Sequence, residues 1–78
     1  MNSKPMKVTK LVEVEVPALE SKIREARLND RRSVAKICRA IDMSPQNWYR
    51  IESGKQSVPI ETIRKIESVL GVDFGVEI

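Results

Sequence analysis

The hydrophobic positions change their period twice along this 78-residue chain. Val12, Val14 and Val16 alternate with Glu13 and Glu15. Period-two alternation of β-branched and charged residues predicts a half-buried strand over residues 8–16, stopped by Pro17. Residues 72–78 repeat the theme, with Phe74, Val76 and Ile78 alternating with Asp73, Gly75 and Glu77. Two short strands at opposite ends of a chain are expected to pair as a small ribbon, within one chain or across a dimer. A two-stranded ribbon is marginal alone, so its apolar face has to pack on something. Residues 1–7 precede the pattern and read as a flexible tail.

Between the strands the period becomes helical. Leu19, Ile23 and Ala26 fit i, i+4, i+7 and predict a helix over 17–29, with Pro17 acceptable in its first turn. Ser33 is placed to cap a second helix, whose Val34, Ile37, Cys38 and Ile41 share one face. Asp42-Met43 breaks the pattern, and Ser44-Pro45 is a strong start signal, a cap followed by a residue with no N–H to satisfy. That third helix, 44–53, stops at Gly54, which tolerates the left-handed conformation. Pro59 opens a fourth, with Glu61 in its first turn, apolar positions Ile60, Ile63, Ile66 and Leu70, and Gly71 as its end. The plan is a single domain over 8–78, with a helical core at 17–71 flanked by terminal strands at 8–16 and 72–78.

Composition narrows the function. Apolar residues make up 41% and charged residues 32%, too apolar for a disordered chain. No stretch approaches the ~20 apolar residues of a membrane helix, and the basic N-terminus is followed by no apolar signal region. A single cysteine excludes an intrachain disulfide, and the absence of histidine excludes His-based triads and His-containing zinc sites. With no nucleophile–base pair in view, the chain is expected to be a binding module with no catalytic residue, metal or cofactor. Residues 18–52 hold eight basic against five acidic side chains, while 1–17 hold three against two and 53–78 three against four. The excess of positive charge therefore sits in the middle, which fits a polyanion and equally fits a solvated helical surface.

Two helices joined by a tight turn, the second opening Ser44-Pro45-Gln46-Asn47, outline a helix-turn-helix. At this point the chain resembles the Cro/C1-type (XRE-like) DNA-binding domains of phage repressors and bacterial regulators. The resemblance covers residues 18–72. It is carried by Ile37-Cys38-Arg39-Ala40-Ile41-Asp42-Met43-Ser44, where the family has Leu-Ala-x-x-Leu-Gly-Val-Ser. Trp48-Tyr49-Arg50-Ile51-Glu52-Ser53-Gly54-Lys55 stands where it has an apolar residue followed by Ile/Leu-Glu-x-Gly-Lys. The implied fold is mainly α, a four-to-five-helix lambda-repressor-like domain to which the terminal ribbon is added.

Each matched position has a physical reason. Cys38 stands where alanine is usual, a small residue that lets helices approach, and reads as a buried hydrophobe rather than a reactive thiol. Trp48 and Ile51 lie three apart on one face and are expected in the core with Ile23, Ile37, Cys38, Ile41, Ile63, Ile66 and Leu70. The resemblance implies that Arg27 pairs with Glu52, holding the first helix against the third while its other donors reach a phosphate. The exposed face of the third helix offers Gln46, Asn47, Tyr49 and Arg50. Asn and Gln amides suit adenine and Arg suits guanine; Arg50 fits guanine or phosphate, and Tyr49 a thymine methyl or the sugar–phosphate backbone. Phosphate contacts are expected around Ser33, Val34, Arg32 and Lys36 at the start of the second helix, at Ser44, and at Lys55, Gln56 and Ser57 after the third.

Four positions depart from the family. Arg32 replaces a commonly apolar residue, Asp42 replaces the turn glycine, Pro45 takes the place of a polar base reader, and the loop from Gly54 to Pro59 is one residue longer. The expected function is a dimeric repressor binding a palindromic operator on double-stranded DNA in the bacterial or phage cytoplasm, nucleoid-associated. Dimerisation is assigned to Val12, Val14, Val16, Phe74, Val76 and Ile78. Two alternatives are an antitoxin that represses its own operon and an adaptor that keeps the fold without reading DNA; a toxin or an anti-repressor is the candidate protein partner.

Overall fold

The computed structural model describes residues 6–9, 13–16 and 18–77. In chain order these form β1 (Met6–Thr9), β2 (Glu13–Val16), α1 (Leu19–Asn29), α2 (Val34–Ala40), α3 (Pro45–Glu52), β3 (Val58–Pro59) and α4 (Ile60–Leu70). The four expected helices are all present, and their ends follow the local chemistry. Ser33 Oγ accepts from the Lys36 N–H and Ser44 Oγ from the Asn47 N–H, each satisfying an orphan donor of a first turn. The α2–α3 turn is a Schellman motif: the Met43 N–H donates to the Cys38 carbonyl at 2.9 Å, and Asp42 takes the left-handed φ of 54° that glycine usually supplies. α1 starts at Leu19 rather than 17, because Ala18 is itself left-handed at φ 57°; Pro17 lies outside the described residues.

The strands differ from expectation. Residues 8–16 are not one strand: β1 and β2 pair antiparallel, with Met6 opposite Val16 and Val8 opposite Val14. β1 and β2 run in opposite directions, but the sequence between Thr9 and Glu13 contains none of the Gly, Asn, Asp or Pro that marks a turn, so the alternation reads through it. β1 also pairs in parallel with β3, Val8 beside Val58, giving a three-stranded sheet in the order β2-β1-β3. Met6 and Lys7, expected in the tail, belong to β1.

Residues 72–77 form no strand, and among the described residues no ribbon joins the two ends of the chain. The alternation there has another cause. Phe74 and Val76 are buried in this chain's own core, and the segment is tied to α4 by side chains. Glu67 accepts from the Phe74 N–H at 2.8 Å and from Arg64 at 2.8 Å, while Arg64 also donates to the Val76 carbonyl at 2.7 Å. A backbone whose N–H and C=O are met by side chains has no need of a neighbouring strand. Of the other positions assigned to dimer strands, Val16 is half-buried against the core. Val12 and Ile78 lie outside the described residues, as does the side chain of Val14.

The core gathers Val8, Leu19, Ile23, Ile37, Cys38, Trp48, Ile51, Val58, Ile60, Ile63, Ile66, Phe74 and Val76. Ile41 and Leu70, expected inside, lie half-buried at its margin. Burial, and secondarily the negative charge of Glu52, pushes the Cys38 thiol up, which disfavours the reactive thiolate. Glu20, in the first turn of α1, is buried against Gly54, and a Cβ at Gly54 would lie 3.2 Å from its Cγ. Gly54 thus meets two demands, a left-handed φ of 70° and close approach by a side chain.

Candidate nucleic-acid interface

α3 is anchored on one side and open on the other. Trp48 and Ile51 are fully buried, whereas Gln46, Tyr49 and Arg50 are exposed and Asn47 is half-buried beside them. Pro45 at the first helical position and the Ser44 cap fix where this row begins. Gln46 and Arg50 are one helical turn apart, and Asn47 and Arg50 three residues apart, so amides and cation form one strip. Lys36 and Lys55 are exposed, on α2 and just after α3.

Beneath the strip lies a network around Glu52. The Arg27 fork binds it through both nitrogens, Nε to Oε2 at 2.8 Å and Nη2 to Oε1 at 2.9 Å, which joins α1 to α3. The Glu52 hydrogen bond is the main cause that raises the Arg27 pKa further above its ordinary value. Trp48 donates its indole N–H to Glu52 Oε2 as well. Only its hydrophobic role is visible in the apolar period; the i, i+4 relation to Glu52 was the available signal. Arg27 also lies over the Tyr49 ring, 5.9 Å from its centroid, at the outer limit of a cation–π contact. Arg27 therefore serves the α1–α3 pair and lies beside Tyr49.

The structure gives the other expected phosphate residues these places. Arg32 turns away toward the end of α4: it donates to both Asp30 oxygens and to the Val69 carbonyl. That carbonyl is one of the orphan acceptors of the last α4 turn, where positive charge is favoured. The arginine that departs from the family's apolar choice thus clamps the α1–α2 junction to α4. The Asp30 carboxyl, hydrogen-bonded first by the Arg32 side chain and then by its backbone N–H, is held down at about 2. Ser33 and Ser44 accept cap hydrogen bonds, Val34 is half-buried at the start of α2, and Ser57 is exposed. Gln56 donates to Asn47 Oδ1 at 3.3 Å, a contact no sequence signal announced.

Comparison with curated proteins and with solved structures found no match. The profile of a helix-turn-helix domain family matches residues 21–78, from the first turns of α1 to the end of the chain. The two helices, the tight turn and the exposed strip all fall inside that match, and the chain belongs to the helix-turn-helix domain family, whose fold suggests a DNA-binding regulator.

Proposed function

We propose that this protein is a sequence-specific regulator of the Cro/C1 type that inserts α3 into the major groove and represses transcription by occupying its operator. The observation that carries the reading is the strip Gln46, Asn47, Tyr49 and Arg50 on a helix whose opposite face is fixed in the core. Amides and a guanidinium on a capped helix packed against the core supply the donors and acceptors that base edges require in the major groove. Lys36 on α2 and Lys55 just after α3 are exposed and supply phosphate contacts, which set position without reading sequence. Gln46 and Arg50 have no side-chain partner among the described residues, so they are available to a ligand.

A single recognition helix reads few base pairs, and pairing of two domains on half-sites ~34 Å apart is the usual remedy. A homodimer on a palindromic operator, acting in the bacterial or phage cytoplasm, completes the proposal. Its interface has to lie elsewhere than on Phe74 and Val76, which are occupied within the chain. Among the described residues no helix is long and apolar enough to cross a membrane.

Selection from a random duplex pool at near-physiological salt tests the proposal. An enriched inverted repeat with a one-turn spacing is the expected result. A single enriched half-site keeps the DNA reading and removes the dimer. No enrichment by folded protein overturns the DNA reading in favour of an adaptor.

A further inference from the structure

The loop after α3 reaches back to the recognition helix through one side chain. Gln56 Nε2 donates to Asn47 Oδ1 at 3.3 Å, and both residues are half-buried while Gln46, Tyr49 and Arg50 around them are exposed. The Asn47 backbone N–H is already held by the Ser44 cap at 3.1 Å. Main chain and amide oxygen of Asn47 are thus each fixed by a partner.

The chemistry of an amide makes this matter. To bind an adenine edge, an asparagine accepts from N6 and donates to N7 in the same plane, and a guanine edge offers acceptors at both places. Turning the amide over exchanges its donor and acceptor and reverses that preference. An asparagine without a second partner adopts either orientation; with Gln56 donating to its oxygen, as here, the Asn47 amide is restrained and Nδ2 is turned to the other side. Gln56 is also neutral, so unlike Lys55 it carries no charge to displace counterions from phosphate.

We propose that Gln56 is a positioning residue for base recognition, restraining the Asn47 amide at the base edge and so sharpening preference at the base pair Asn47 reads. The inference rests on the DNA-reading function proposed above. One neutral hydrogen bond corresponds to a preference of about three- to tenfold.

The test is selection from random duplexes by wild type, Gln56→Ala, Gln56→Met, Asn47→Ala and the Asn47→Ala/Gln56→Ala pair, followed by competition among single-base-pair variants of the selected site. Both Gln56 variants are expected to relax preference by about three- to tenfold at the base pair where Asn47→Ala loses it, with other positions and the salt dependence unchanged. The double variant is expected to match Asn47→Ala at that pair. Thermal melting of each variant controls for folding. Equal weakening on every duplex, or a change at a different base pair, overturns the inference and leaves the DNA reading intact. Preference unchanged in Asn47→Ala or in the Gln56 variants overturns it in the same way. No enrichment by folded wild type overturns both.

Discussion

Glu52 is the residue that ties α3 to the rest of the domain. Its side chain is 7% exposed, and a carboxylate taken that far from water is costly unless its lone pairs are met. Arg27 meets them from α1 through a bidentate fork, and Trp48 adds a third donor from the same helix. Arg27→Met leaves the charge with only the neutral indole, and stability is expected to fall by ~2–3 kcal/mol in urea unfolding. Trp48→Phe removes the N–H and part of the core volume, at an expected cost of roughly 1–3 kcal/mol. Because both changes act on one carboxylate, the double variant is expected to depart from additivity. Strictly additive values would show that Glu52 is not a shared node. The pair with Arg27 was legible through the family resemblance; the indole bond was not, because an apolar period reports that Trp48 faces inward and says nothing about its one polar atom.

The four helices were legible for a simple reason: caps and stops are local chemistry, and Ser33, Ser44, Gly54 and Gly71 act on neighbours within one turn. Strand partners are set by distant residues, so alternation in 72–78 announces a buried face without saying what covers it. Here the cover is the chain's own core, with Arg64 and Glu67 of α4 holding the backbone. Phe74→Ala is therefore expected to lower the stability of each chain by ~3 kcal/mol in urea unfolding. A variant that keeps its stability and merely dissociates would place Phe74 at an interface between copies instead. The Asp30–Arg32 clamp was equally hidden, since its third partner is a carbonyl near the far end of the chain. Asp30 titrates near 2 when folded and near 3.8 ordinarily, so its stabilising contribution is present above the ordinary value and is lost as pH falls from about 4 through about 2. Asp30→Asn is expected to melt below wild type at pH 7, with the gap closing over that interval. A gap that persists unchanged at pH 2 would mean that the ion pair is not its source.

At the scale of the whole molecule the net charge of +3 is small, and its placement decides what it can do. The basic excess lies in 18–52, the span that builds α1 to α3, and Lys55 continues it beyond α3. A protein that neutralises phosphates releases counterions, and log K falls with log[salt] by ~0.9 for each phosphate contacted on duplex DNA. Groups that grip phosphate and groups that read bases therefore separate in one experiment. Lys36→Gln and Lys55→Gln are each expected to lower the salt slope by ~0.9 and to weaken binding equally on selected and scrambled duplexes. Gln46→Ala and Asn47→Ala are expected to leave the slope alone and to cost ~1–3 kcal/mol on the selected site only. Arg50→Gln distinguishes its two candidate partners: a changed slope assigns it to phosphate, and loss at one G·C pair with the slope preserved assigns it to guanine. Affinities measured by fluorescence anisotropy from ~50 to ~200 mM salt give both quantities, the range over which phosphate contacts change binding most visibly. A slope unaffected by either lysine would mean that the face carrying α3 is not the face that meets DNA.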